Sequence, residues 1–334
     1  FIIKEKRSDK MEKVTIVIPV YNAEKTISKC IDSILNQTNE NYQVLLIDDG
    51  SKDNSLKVIK EYEKNYPKKI KVISKENEGV VATRNLGIDL CKTKYIMFID
   101  NDDYIDKDYV EQFLSAITKR KDKVVLGGYR RTTEDRIIHE ESAKDDLWTK
   151  YRIITPWARI YDADFLKQEN IKYKPISIGE DIYFNMSIYA KTNQISSIDY
   201  IGYNWFYNTE SVSNTTQKGL NKKVNPIELL TEVKKINEKK ADDPIINYFY
   251  YRYMVWYLLF SGKKATAKEF IKEYEKLSTW LTENNIKLRL PFTSKKIKSE
   301  PIKNRLSVSI FHLIEKLHLM KLFAKVYCRG DKNV

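Results

Sequence analysis

Apolar and polar positions alternate regularly along the first 130 residues. Apolar runs with the length of strands lie at 14–21, 43–49, 70–74, 95–100 and 123–129. Between these runs, apolar residues recur every three or four positions, which predicts helices near 24–36, 54–65, 79–91 and 106–120. Because the strands are apolar throughout, we expect a mostly parallel sheet that is buried between helices. The predicted fold class is therefore α/β.

The pattern changes after the fifth apolar run. A helix is predicted to begin at Glu180 and Asp181. From about residue 217 helical spacing dominates to the end, near 225–239, 243–261, 265–284 and 305–327. We therefore expect an α/β domain over residues 1–216, with 1–11 disordered or added ahead of the natural start, and a helical C-terminal domain over 217–334.

Polar residues follow three of the predicted strands at the point where each strand ends. The first strand ends in Pro-Val-Tyr-Asn (19–22), the second in Asp-Asp (48–49) and the fourth in Asp-Asn-Asp-Asp (100–103). Ligands bind beyond the carboxyl ends of parallel strands, so these side chains are expected to meet in one crevice. A single acid at a strand end is often a helix cap. Capping does not readily explain polar residues on three strands.

Acidic groups that share one edge of a sheet need a positive partner. Ligand sets made only of oxygen favour Mg²⁺ or Mn²⁺ over zinc, and these ions usually keep positions for phosphate oxygens. The Asp-x-Asp spacing of Asp100 and Asp102 therefore predicts a divalent metal that a diphosphate completes. The chain has only three cysteines, without CxxC spacing, and three histidines, which argues against a disulfide framework and a zinc site.

Four segments in this order resemble the successive motifs of glycosyltransferase family 2. They are "VTIVIPVYNAEKTISKCIDSILNQT", "VLLIDDGSKDNS", "ENEGVVATRNLGIDL" and "YIMFIDNDD". The resemblance covers about residues 12–215, and "TPWARIYDADFL" and "IGEDIYF" are similar to the acceptor side of the family. It implies a GT-A fold, a catalytic domain over 1–216, and inverting transfer of a sugar from a nucleotide-diphosphate sugar, expected to be a UDP-sugar. The expected acceptor is a glycan, a protein-linked glycan or a lipid-linked molecule.

The resemblance also implies roles for individual residues. The positions that match its nucleotide site are Pro19, Tyr21, Asp48, Asp49, Arg84, Asp100 and Asn101. Within this set, Tyr21 is expected beside the base and Asp49 is expected to accept a hydrogen bond from a uracil-type N–H. Asp102 is expected to bind Mn²⁺ or Mg²⁺, and Asp103 to support it from behind.

An inverting transfer also needs a base that takes the proton of the acceptor hydroxyl. Asp181 is the expected base, with Glu180 as its rival. In the alternative reading both acids only stabilise the start of a helix. Trp157 is a candidate for stacking on an acceptor sugar, and a buried core tryptophan is the alternative.

The positive charge of the chain lies in its last third. Residues 217–334 contain 25 Lys and Arg against 12 Asp and Glu, a net charge of +13, whereas residues 1–216 are neutral. An apolar stripe near 306–324 predicts packing or homo-oligomerisation through the C-terminal helices. Peripheral contact with a membrane is the alternative. No nucleic-acid motif is recognised. The sparse cysteines favour a cytoplasmic location, at the inner face of the membrane if the helices bind lipid.

Two other functions remain as alternatives. A catalytically inactive GT-A-like scaffold or binding protein would keep the fold without the reaction. Another nucleotide-dependent transferase would need a phosphate-binding glycine loop or a Walker lysine, and the sequence contains neither.

Overall fold

The computed structural model describes residues 13–207, 219–221 and 223–330, so the expectation for residues 1–11 lies outside the described part. The chain forms two compact units. The first contains the described residues up to Asp145 together with Thr155–Pro175 and Lys191–Tyr207. The second contains Asp146–Ile154, Ile176–Ala190 and the described residues from 219 onward. Two segments from within residues 1–216 thus group with the C-terminal helices.

The first unit is built on one sheet. Its strands are β1 Val14–Val20, β2 Tyr42–Asp49, β3 Ile70–Lys75, β4 Tyr95–Phe98, β5 Tyr104–Ile105, β6 Val124–Thr132, β7 Ile137–Glu141, β8 Arg159–Asp162 and β9 Ile195–Phe206. The order is β3-β2-β1-β4-β8-β6-β9-β5, and β7 pairs with β6. Strands β3, β2, β1 and β4 are parallel, as expected. Beyond β4 the sheet is mixed, because β8 runs antiparallel to both β4 and β6.

The helices of the first unit lie close to their predicted positions. They are α1 Ile27–Leu35, α2 Ser55–Asn65, α3 Val80–Leu90, α4 Tyr109–Arg120 and, later in the chain, α6 Ala163–Gln168. The apolar positions of α1 that recur every three or four residues are buried, as the spacing predicts. Helix α3 lies so close to β1 that a Cβ atom on Gly87 would come within 2.5 Å of Val17 Cγ1. Only glycine allows this close approach between α3 and β1.

The second unit is helical in its described part. Its helices are α5 Thr149–Arg152, α7 Glu180–Lys191, α8 Pro226–Ile236, α9 Pro244–Ser261, α10 Ala267–Glu283, α11 Ile302–Lys316 and α12 Met320–Tyr327. The single helix expected near 305–327 is two helices, because His318 adopts a left-handed conformation (φ 58°) that ends the first of them. Thr266 and Glu269 form a capping box that starts α10.

The core of the second unit is aromatic and contains one buried ion pair. Helix α9 is buried almost all round. Glu300 is fully buried: the indole N–H of Trp148 donates to its carboxylate, and Nε of Arg252 lies 2.9 Å from the same oxygen. Among the described residues no helix has the length and apolarity that crossing a membrane requires.

Candidate functional site

The ends of β1, β2 and β4 meet around one cavity of about 270 Å³. It is lined by Pro19, Val20, Tyr21, Asp49, Asn77, Gly79, Val80, Thr83 and Asn101. Four residues that were predicted to bind the nucleotide are therefore brought together here. The amide of Asn101 donates to the carbonyl of Pro19 at 2.8 Å, which fastens the loop after β4 to the end of β1. Tyr21 is 43% exposed, so its ring is available to a ligand.

Asp49 is held in place by the loop that leads into α3. Its Oδ1 accepts hydrogen bonds from Lys75 Nζ and from the backbone N–H of Glu78, and its Oδ2 accepts from the N–H of Gly79 at 2.8 Å. Burial alone would raise the pKa of Asp49. The hydrogen bonds and the charge of Lys75 outweigh burial, so the pKa is lowered from its ordinary value. The carboxylate is thus ionised and accepts hydrogen bonds only, with capacity for one more donor at Oδ2.

Asp48 lies next to Asp49, but its hydrogen bonds connect β2 to β3 and to the turn after β2. Its side chain is buried, and its oxygens accept from the backbone N–H of Ser51 and the hydroxyl of Ser74. Successive side chains of a strand point to opposite faces, so the two neighbouring acids meet different surroundings. The part of Asp48 in nucleotide binding stays a prediction.

Arg84 links α3 to the loop after β4. It is almost completely buried, and its Nη2 lies 2.9 Å from Asp100 Oδ1. Its guanidinium also lies 5.4 Å from the centre of the Tyr173 ring. Asp100 remains partly exposed, with 31% of its side chain accessible. The pair therefore presents one accessible carboxylate whose orientation is set by a buried cation.

Asp103 faces away from solvent and joins the loop to β9. The Tyr203 hydroxyl and the backbone N–H of Phe206 donate to its two oxygens. Burial and then the charges of Asp102 and Asp100 raise its pKa well above the ordinary value. The supporting part expected for Asp103 beside Asp102 stays a prediction.

The loop after β4 is strongly negative. Burial raises the pKa of the Cys30 thiol, and the charges of Asp103, Asp102 and Asp100 raise it further. In the described part of the chain no three His, Cys, Asp or Glu side chains are grouped so that they could hold a metal ion. Asp102 is half-buried and offers one carboxylate. Binding of Mn²⁺ or Mg²⁺ by Asp102 therefore stays a prediction.

Sequence reasoning missed several residues around the cavity. No site residue was predicted between Lys75 and Gly79, yet this segment holds Asp49 and lines the cavity with Asn77 and Gly79. Gly79 has φ 88° and precedes the first residue of α3. A glycine at the start of a predicted helix was therefore the sequence signal that could have pointed to this segment. Arg131 was also missed. Its guanidinium lies 3.4 Å from the centre of the Trp205 ring, within reach of the charges of the β4 loop.

Trp157 lies in the core of the first unit. It is 5% exposed, and its ring stacks on Tyr203 with centroids 4.5 Å apart and planes 3° apart. The rings of Tyr129 and Trp205 pack against it as well. This burial favours the core alternative over stacking on an acceptor sugar.

Glu180 and Asp181 lie in the second unit. Both are half-buried in the first turn of α7, where the sequence placed them. The backbone carbonyl of Asp181 accepts from the side chain of Asn185. Gly179, with φ 80°, makes the turn into the helix. Negative charge is favourable at this end of a helix, so the placement suits a stabilising role as well as a catalytic one.

Comparison with known proteins identifies relatives of the first unit. The family model described as "Glycosyl transferase family 2" matches residues 15–213. Glycosyltransferase GlyA of Streptococcus pneumoniae is 28% identical over 204 residues, which are 55% of this chain and 29% of GlyA. Poly(ribitol-phosphate) beta-glucosyltransferase of Bacillus spizizenii is 33% identical over 198 residues, 56% of this chain and 31% of the relative. The chain thus spans about a third of the length of these relatives.

A solved structure resembles nearly the whole chain. The crystal structure of S. aureus TarS 1-349 in complex with UDP-GlcNAc has a TM-score of 0.67 and 20% sequence identity. The similarity covers 90% of this chain and 92% of that one. At this identity the match establishes the fold, and it agrees with the predicted GT-A sheet followed by C-terminal helices.

Proposed function

The chain belongs to glycosyltransferase family 2, whose model matches more than half of it, and on this premise we propose that it transfers a sugar from a UDP-sugar. The acceptor would be a hydroxyl group of a glycan, a protein-linked glycan or a lipid-linked molecule. The reaction would invert the anomeric carbon, because the acceptor oxygen attacks as the C–O bond to the diphosphate breaks.

The observation that carries this proposal is the cavity at the ends of β1, β2 and β4. It combines an exposed ring at Tyr21, an ionised acceptor at Asp49 and an amide at Asn101. These groups suit a flat, hydrogen-bonding base, which needs one apolar face and a few polar partners. The partly exposed carboxylates that follow β4 lie in the same loop as Asn101, where the ribose and diphosphate of a bound nucleotide would continue.

Asp49 gives the proposal its preference for uridine. Its lowered pKa keeps the carboxylate ionised at neutral pH, so it can accept a hydrogen bond but cannot donate one. Uracil carries a donor at N3, whereas cytosine carries an acceptor at the same position. A fixed carboxylate therefore selects uracil, since cytosine would face it with an unpaired acceptor.

The diphosphate would be received by the loop after β4. Asp102 would hold Mn²⁺ or Mg²⁺, which when bound neutralises the charge of the leaving diphosphate. Asp100, oriented by Arg84, would accept from the ribose hydroxyls. Arg131 adds a positive charge beside this loop.

The proton of the acceptor hydroxyl would pass to Asp181, with Glu180 as the alternative base. Both carboxylates are half-buried in the first turn of α7, which keeps them on a rigid element. A base of this kind contributes roughly a hundredfold to ten-thousandfold in rate.

The names of the relatives support a hexose-type donor. TarS has been crystallised with UDP-GlcNAc and with UDP, and the Bacillus spizizenii protein is named a glucosyltransferase. We therefore propose that this chain uses a UDP-hexose or a UDP-N-acetylhexosamine.

Nucleotide binding tests the first half of the proposal. Titration calorimetry with UDP, CDP and GDP, each with and without Mn²⁺, should give the tightest binding for UDP in the presence of the metal. Equal affinity for all three nucleotides would contradict the assignment of the cavity to the base.

Turnover tests the second half. A panel of UDP-sugars is incubated with the protein, Mn²⁺ and hydroxyl acceptors, and the anomeric configuration of the product is read by NMR. Release of UDP with an inverted product supports the proposal. Tight UDP binding without release from any donor would instead favour the inactive scaffold.

A further inference from the structure

Helices α11 and α12 each present a row of apolar side chains to solvent. Eight apolar residues on or beside these helices are between 43% and 70% exposed: Ile302, Leu306, Ile310, Leu313, Leu317, Leu319, Leu322 and Val326. We call this set the C-terminal apolar face. Single exposed apolar residues are common, but eight of them along two consecutive helices indicate a surface that binds a partner.

The face on α11 is a stripe and not an edge of the core. Its members recur at intervals of four, four, three and four residues, from Ile302 to Leu317, which is the spacing of one side of a helix. The side that packs inward carries the buried Val308 and Phe311. At 100° per residue these two positions lie roughly opposite the stripe. The helix therefore has two apolar sides, of which only one is used by the fold.

The segment that carries this face has mostly positive charge. Residues 295–330 contain nine Lys and Arg but two Glu. Both glutamates are occupied inside the second unit: Glu300 is buried with Arg252, and Glu315 accepts from the hydroxyls of two tyrosines. Four exposed lysines lie on the two helices beside the apolar face: Lys303, Lys316, Lys321 and Lys325.

Two aromatic residues of α9 are exposed on the side of α11 that carries Val308, away from the stripe. Trp256 and Phe260 of α9 are 39% and 44% exposed, and their rings stack with centroids 5.5 Å apart. They line an apolar cavity of about 250 Å³ together with Ser307 and Val308 of α11.

These features distinguish between two occupants of the face. A second copy of the chain would bring two surfaces of the same positive charge together, because a symmetric dimer uses the same patch twice. An anionic lipid surface offers apolar chains to the stripe and negative headgroups to the lysines. No helix in the described residues is able to cross a membrane, so contact would be parallel to its surface.

We propose that the C-terminal apolar face docks on the surface of an anionic phospholipid bilayer. Helices α11 and α12 lie in the headgroup region, with the leucines and isoleucines inserted and the lysines next to the phosphates. The proposal does not depend on sugar transfer, and its test does not measure catalysis.

Vesicle flotation with the full chain tests the proposal. Vesicles of phosphatidylcholine alone are compared with vesicles that contain roughly one-third phosphatidylglycerol. We expect binding to the anionic vesicles only, weakened by high salt because the screening length falls from about 10 Å at 0.1 M to about 3 Å at 1 M.

Two variants locate the contact on the face, and each has a matched control. Replacing Lys316, Lys321 and Lys325 by Gln should weaken binding about a hundredfold, since each lysine near the surface contributes about a factor of five. The same change at Lys57, Lys60 and Lys64, three exposed lysines of α2, removes equal charge and should have little effect.

The apolar contribution is tested in the same way. Leu313→Gln with Leu317→Gln should weaken binding at least about tenfold. Ile137→Gln with Ile138→Gln, on the exposed strand β7, is the control with similar exposure. All variants replace exposed side chains, and circular dichroism should show unchanged helix content.

Three results would overturn the proposal. Absence of flotation with anionic vesicles, accompanied by a dimer in sedimentation that the leucine variant dissociates, would assign the face to a second copy. Equal, salt-independent binding to both kinds of vesicle would remove the lipid charge from the explanation. Equal loss of binding in the control variants would place the contact elsewhere.

Discussion

The substitution Asp49→Asn tests how the cavity chooses its base. In the wild type Oδ1 of Asp49 accepts from Lys75 and from the N–H of Glu78, and Oδ2 accepts from Gly79, which also lines the cavity. An asparagine should keep its oxygen toward the two donors at Oδ1. Its NH₂ group would then take the place of Oδ2. There it would oppose the N–H of Gly79, and it would offer the cavity a hydrogen-bond donor instead of an acceptor.

The expected loss of stability follows from the burial of the ion pair. The side chains of Asp49 and Lys75 are 5% and 13% exposed. Removing one partner of a completely buried pair costs about 3–5 kcal/mol. Here Lys75 is slightly accessible and keeps Glu78 at 3.0 Å, so we expect the free energy of unfolding to fall by about 2 kcal/mol.

The expected change in binding is a change of preference. A hydrogen bond to a charged acceptor contributes about 1.5–3 kcal/mol, which is about a tenfold to hundredfold difference in Kd. The wild type should therefore bind UDP at least about tenfold more tightly than CDP. In Asp49→Asn the new donor opposes N3–H of uracil and matches N3 of cytosine, so the ratio should fall to about one or below.

Calorimetry with UDP and CDP measures the ratio, and urea unfolding measures the stability. Asp48→Asn is the matched control, because this neighbour is equally buried but bonds only Ser51 and Ser74. It should lower stability by about 1 kcal/mol and leave the nucleotide ratio unchanged. An unchanged ratio in Asp49→Asn, or an equal change in the control, would refute the reasoning about base selection.

The pKa of Asp49 also sets the sign of a pH effect. Because the folded state lowers this pKa, the ionised carboxylate stabilises the protein above the pKa of the unfolded chain. That contribution is lost as the pH falls from about 4 through the lower folded value. The difference in unfolding free energy between the wild type and Asp49→Asn should therefore shrink below about pH 4.

Three further predictions concern the metal, the base and the core. Asp102→Asn should leave UDP binding without metal unchanged and abolish the gain that Mn²⁺ gives in calorimetry; a persisting gain would exclude Asp102 as the ligand. Asp181→Asn should retain UDP binding and lower kcat about a hundredfold to ten-thousandfold, while Glu180→Gln keeps most activity, and the opposite pattern would assign the base to Glu180. Trp157→Ala should reduce the free energy of unfolding by about 3–5 kcal/mol because its ring is buried, against roughly 1 kcal/mol for the half-exposed Trp256→Ala; equal small losses in urea would contradict the core role.

Most of the first unit could be predicted because its strands are apolar from end to end. The helices between them have clear apolar stripes, so their positions followed from spacing alone. The place of β8 between β4 and β6 could not be predicted, since strand order depends on contacts between distant segments. The break at His318 was missed for a similar reason, because the apolar spacing continues through it.

The site shows the same division. The convergence of three strand ends followed from parallel topology, and the cavity contains Tyr21, Asp49 and Asn101 as expected. Whether Asp48 or Asp49 faces the cavity depends on which side of the sheet each residue of β2 points to. The apolar pattern of a strand that is buried on both sides does not show this. The surroundings of Trp157 likewise depend on residues far along the chain, such as Tyr203.

The path of the chain between its two units limits how the protein can be divided. The chain leaves the first unit after Asp145 and again after Pro175, and returns each time. A fragment that stops at residue 216 would carry Trp148 without the carboxylate of Glu300, and Gly179 without Leu229, which lies against it. Expression of residues 1–216 alone would therefore expose the apolar side chains of two inserts, Asp146–Ile154 and Ile176–Ala190, and favour aggregation. Chimeras that exchange the second unit should carry both inserts together with the C-terminal helices.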